Sequence, residues 1–207
     1  MNSPFPAVFA KLLAHKNGVE HRAAIARAPM VPLLCPPEWR GVPSGVCGRR
    51  LFDAPSSPWL ALYGVSSEDP EMPALTLARI KEVVNETITK SEAITLAVGL
   101  MHDRMVVDPT AAMWSERDMM FIAWDDLAAS LVLHSEVMKT VHAQLGDQLV
   151  VAMPTRATLI LGVRGRHEDR ISRIGRDMIA RVGVAHQLSD AMFAMERGAV
   201  FDRLQEL

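Results

Sequence analysis

Apolar residues recur at two spacings along this chain, and the spacings separate helices from strands. From Pro4 to Arg27, Val8, Leu12 and Leu13 share one helical face, and Ala23, Ile25 and Ala26 extend it after Gly18. The pattern breaks at Pro29, Pro32, Pro36, Pro37, Pro43, Pro55 and Pro58. Proline lacks the N–H that a ladder or a helix interior needs. Residues 29–58 therefore read as a connector, with short extended pieces at Met30–Leu34 and Arg49–Phe52. Trp59 to Tyr63 is an apolar run between Pro58 and Gly64, as expected of a buried strand. Ser66 to Pro73 is acidic and turn-like. Thr76 is placed to cap a helix with Leu77, Ile80, Val83 and Val84 on its buried stripe. Ser91 is placed to cap a second, followed by Ile94, Leu96, Ala97, Leu100 and Met101.

The second half is more sharply patterned. Met119 to Trp124 reads as a strand. A helix capped by Asp125 or Asp126 follows to about Gln144, with Leu127, Leu131, Met138, Val141 and Leu145 inward, and Gly146-Asp147 ends it. Gln148–Pro154 and Thr158–Val163 are strands joined by a short turn, so an antiparallel hairpin is expected. His167 to Val182 carries Ile171, Ile174, Met178, Ile179 and Val182 at helical spacing. Met192–Met195 and Val200-Phe201 flank Gly198 as a last hairpin. The order is mostly helices, then β-α-β-β-α-β-β. This predicts an α+β fold, with helices packed on a small, mostly antiparallel sheet. Residues 1–58 form an N-terminal helix and proline-rich connector, and 59–207 the α+β domain. The predicted core gathers Leu149, Val151, Leu159, Leu161, Ile171, Ile174 and Met178 in mutual contact.

Composition narrows the class. The chain has 207 residues, 49% hydrophobic and 22% charged, with a formal charge of −2. That balance excludes a disordered chain, which needs low hydrophobicity and high net charge. Two cysteines, Cys35 and Cys47, exclude a disulfide-framework scaffold. No apolar stretch approaches the roughly 20 residues of a membrane helix. The early prolines and Lys11 do not match a secretory leader. A cytoplasmic protein is expected. Charge is uneven along it. Residues 59–147 hold fourteen acidic and six basic groups, between ends that are mildly basic. Such a zone favours encounter with a basic partner.

The chemical motifs are sparse. His102-Asp103 is a dipeptide found in metal-dependent phosphohydrolases, but no further ligand set is spaced to join it. His134 and His142 are eight apart on one predicted helix, about 12 Å, too far for one ion. Cys47 lies in the small-residue loop Ser44–Gly48, where a thiolate is exposable, yet no histidine is positioned by spacing to activate it. Arg164, Arg166, Arg170, Arg173, Arg176 and Arg181 crowd one helix, but Asp169 and Asp177 stand four residues either side of Arg173. Pairs at that spacing describe a self-neutralised solvent face. No phosphate-cradling glycine motif is present. Neither a metal nor a cofactor is expected.

Residues 126–163 also carry a pattern shared with other proteins. Asp126-Leu-Ala-Ala-Ser130 opens a leucine-rich stretch. Leu145-Gly-Asp-Gln-Leu-Val-Val-Ala-Met-Pro-Thr-Arg156 and Leu159-Ile-Leu161 follow, then His186-Gln-Leu-Ser189. This resembles the YtpQ-like family of bacterial proteins of unknown function, loosely over 76–204. Two positions depart from it: Ala157 stands where the family has an acid, and Gln187 where proline is common. The resemblance implies a fold and no activity.

A non-enzymatic binding protein is therefore expected, with an immunity-type inhibitor of a bacterial toxin or enzyme as its most specific form. Its contact residues are expected at Asp118, Asp125 and Asp126 around the Met119–Trp124 strand, with Trp114 and Trp124 as aromatic anchors. Arg156, projected from a strand–turn–strand, is expected to clamp a carboxylate. Two alternatives stand beside this. One is a small hydrolase with a dispersed site around Cys47, His102 or Asp125 and Asp126. The other is a nucleic-acid accessory protein using the arginine-rich helix.

Overall fold

A computed structural model describes residues 30–38, 45–52, 55–65, 75–77, 89–99, 113–116, 118–123, 128–182, 186–197 and 199–206. The fold is α+β, and the chain divides into two compact units. Among the described residues, the first unit takes in 30–33, 45–49, 60–65, 75–77 and 89–99. The second takes in 34–38, 50–52, 55–59 and everything from 113 onward. No helix among the described residues is long and apolar enough to cross a membrane.

The first unit is built around a small sheet. Strands β1 (Met30–Cys35), β2 (Gly48–Arg50) and β3 (Trp59–Val65) lie in the order β1-β3-β2, and β4 (Leu75–Leu77) also pairs with β3. The two extended pieces expected in the proline-rich connector are thus β1 and β2. In β3, Leu60, Ala61 and Leu62 are all buried in succession, so both faces of this strand are covered. Gly48 lets β2 close on β3: a Cβ there would lie 2.8 Å from the Leu60 carbonyl oxygen. Thr76 is not a helix cap. It sits inside β4 opposite Gly64, because Leu75-Thr76-Leu77 alternates and pairs antiparallel with Tyr63–Val65. The rest of that expected helix, 78–88, lies outside the described residues, as do the helix expected within Pro4–Arg27 and the turn at 66–73. Helix α1 (Lys90–Gly99) begins one residue before the expected Ser91 cap. Its cap is Thr89, whose hydroxyl accepts from Glu92 N while the Thr89 N–H donates to the Glu92 carboxylate at 2.8 Å. This reciprocal box satisfies two N–H groups that the first turn leaves open. Ala93, Ile94 and Ala97 form its buried face.

The second unit is a six-stranded antiparallel sheet. Its strands are β5 (Met113–Glu116), β6 (Met119–Ala123), β7 (Gln148–Thr155), β8 (Thr158–Val163), β9 (Ala191–Glu196) and β10 (Ala199–Glu206). They lie in the order β10-β9-β7-β8-β6-β5. The β7–β8 and β9–β10 hairpins form as expected. A 3-10 helix (Ala128–Leu133) packs on β6, β8 and helix α2 (Ser135–Leu145), and helix α3 (Glu168–Arg181) packs on β7 and β8.

Two corrections concern packing. The single helix expected from 125 to 144 is two helices, because His134 adopts an extended conformation between them and caps α2. Its Nδ1 accepts from Val137 N at 3.3 Å. The predicted core also divides. Leu149, Val151, Leu159, Leu161 and Ile171 are fully buried, but they do not form one cluster. Ile171 packs with Val150, Ala152, Ile160, Met119, Phe121 and Met192, and Ile174 and Met178 lean on that cluster half-buried. Side chains alternate across a strand, so Leu149 and Val151 point to the opposite face. There Val151 is opposite Phe193, whose ring meets Phe52 edge-on at 5.4 Å. Both faces of β7 are covered, and no residue from Leu149 to Thr155 is exposed.

The parts of the proline-rich stretch that belong to the second unit, 34–38, 50–52 and 55–58, are anchored within it. Arg50 donates to the carbonyls of Pro55 and Ser57 at 2.8 Å each and lies over the Trp59 ring. Trp59 Nε1 donates to the Pro37 carbonyl, and Leu34 N donates to Ser130 Oγ at 3.0 Å in a buried setting.

Candidate functional site

The C-terminal end of one loop and the tip of one hairpin meet beside α2. Gly146, at φ 89°, ends α2 and turns the chain into β7, placing Asp147 next to the first residue of that strand. Gln148 pairs with Glu196 across β7 and β9. The next residue beyond Glu196, Arg197, therefore falls beside Asp147: its N–H donates to the Asp147 carbonyl, and its Nε lies 4.0 Å from the carboxylate. Together with one face of α2 they enclose a cleft of about 400 Å³. Val132, Leu133 and Met138 supply its apolar wall, and His134, Ser135, Lys139, His142, Asp147 and Arg197 its polar groups.

Helical spacing explains the wall: Ser135, Met138, Lys139 and His142 fall three or four residues apart on α2. His134 Nδ1 is committed to the Val137 N–H. His142 Nδ1 donates to the Gly146 carbonyl oxygen at 2.8 Å, and the other ring nitrogen is Nε2. That Nε2 is buried and has no hydrogen-bond partner. Lys139 lies 3.8 Å from Glu136, and its side chain is 78% exposed. Arg197 is 80% exposed and holds φ 50°, the left-handed region that side chains rarely adopt.

Of the residues nominated by sequence, Asp118, Trp114 and Arg156 are described, and none of them lines this cleft. Asp118 sits at the β5–β6 tip at φ 60°, exposed, with its carboxylate 3.3 Å from Arg166. Trp114 lies in β5 opposite Phe121. Asp125, Asp126 and Trp124 lie outside the described residues, as does His102. Arg156 occupies the two-residue loop between Thr155 and Thr158. Its carbonyl accepts from Ala129 N, and its Nε is buried without a partner. Of these residues, Asp118 and Trp114 share one hairpin, and Arg156 stands at the tip of another.

Cys47 is not an exposed thiol. It is fully buried beside β3, its carbonyl accepting from Leu62 N, and burial raises its pKa against the opposing pull of Lys90. A thiol held protonated is a poor nucleophile. Among the described residues, no three His, Cys, Asp or Glu side chains come together as a metal-ligand set. In the arginine-rich segment, Arg164, Arg166, Arg173, Arg176 and Arg181 are exposed, and Arg166 is the partner of Asp118.

The cleft escaped the sequence reading because Arg197 is separated from α2 by more than fifty residues. Only the pairing of β7 with β9 joins them. The signal available in the sequence was an arginine before Gly198, where a hairpin turn favours asparagine. No protein-family model, curated protein or solved structure matches this chain.

Proposed function

We propose that this chain is a non-enzymatic binding protein whose second unit docks a protein partner in the α2 cleft. One observation carries the reading. The cleft sets half-buried Leu133, backed by buried Val132 and Met138, among exposed charges at Lys139, Asp147 and Arg197, while both its imidazoles commit Nδ1 to backbone groups. An apolar centre with a polar rim is how recognition surfaces are built. A general base instead needs its ring nitrogen within reach of a substrate proton. His134 Nδ1 is committed to capping a helix, and His142 Nε2 is buried.

An immunity-type inhibitor of a bacterial toxin or enzyme, acting in the cytoplasm, is the narrower form of this proposal. Kinship with the YtpQ-like family belongs to it as well and adds no activity. A basic partner would draw on Asp118, Asp125 and Asp126 with Trp114 and Trp124. Asp118 is already ion-paired with Arg166, so the cleft is the better-supported docking point.

Native pull-down with three forms of the full chain tests this. Leu133→Glu places a charge on the half-buried cleft wall, and Arg173→Glu changes an exposed residue of α3. Wild type and Arg173→Glu are expected to retain one stoichiometric protein partner that Leu133→Glu loses. Undiminished capture by Leu133→Glu would overturn the assignment of the cleft.

A further inference from the structure

We draw no further inference here: the strongest candidate, the arginine-rich surface of α3 with exposed Arg173, Arg176 and Arg181, interleaves those cations with Glu168, Asp169 and Asp177 and ties Arg166 to Asp118, and nothing in the structure shows what covers it.

Discussion

Among the described residues, two outside glycine hold left-handed backbone, and their chemistry predicts different responses to substitution. For most L-residues that conformation costs about 1–2 kcal/mol. Arg197→Gly is therefore expected to raise unfolding free energy by about 1 kcal/mol, read by urea denaturation. Asp118 also sits at φ 60°, but short polar side chains tolerate the region and its pair with Arg166 is exposed. Asp118→Asn should change stability by less than about 1 kcal/mol. The α1 cap adds a pH-dependent term. Hydrogen bonds from the Thr89 N–H and then its hydroxyl hold the Glu92 carboxyl below the usual glutamate range. A folded pKa below the unfolded one contributes stability that is full above the unfolded value and is lost as pH falls through the folded value. Thr89→Ala removes the hydroxyl's part of this. The stability gap between wild type and Thr89→Ala is expected to be present at neutral pH and to narrow in acid. A gap that is constant from neutral pH down to about 3 would mean the carboxylate contributes nothing.

At the scale of elements, the sheet of the second unit keeps two separate cores, one on each face. Ile160 and Ile171 share the α3 face, and Val151 points to the other. Ile171→Ala is expected to cost about 2–5 kcal/mol. In double-mutant cycles it should couple to Ile160→Ala by at least about 0.5 kcal/mol and be additive with Val151→Ala. Gly162→Ala tests the same face by overpacking. A Cβ there would fall 2.8 Å from His167 Cβ and 2.9 Å from Ile171 Cδ1, a loss of about 1–3 kcal/mol. The hairpins and α3 were legible in the sequence because glycine and proline punctuate runs of clear period. Which face of β7 meets α3 was not, because Leu149 to Met153 is apolar at every position and alternation then carries no information. The break at His134 was hidden as well: the apolar period continues through it, and histidine is an uncommon cap. The cleft was illegible for a third reason, that a long-range strand pairing makes it.

At the scale of the molecule, the two cysteines fall in different units. Cys47 belongs to the first and Cys35 to the second, and both are buried. Neither thiol is expected to react with iodoacetamide in the native protein. Buried thiols become labelled only as their surroundings open, so labelling along a denaturant series, read by peptide mass spectrometry, reports the surroundings of each thiol. Coincident labelling would mean that the units unfold as one. The strand order has a further consequence for synthesis. β7 is central, with β8 on one side and β9 on the other, yet β9 is translated some forty residues after β7 begins. Until Ala191–Glu196 leaves the ribosome, Leu149-Val-Val-Ala-Met153 has one bare edge of unpaired backbone and apolar side chains on both faces. Such edges recruit other chains. The nascent protein therefore passes through a stage at which a chaperone's grip on β7, or a pause in elongation before β9, decides between completing the sheet and aggregating.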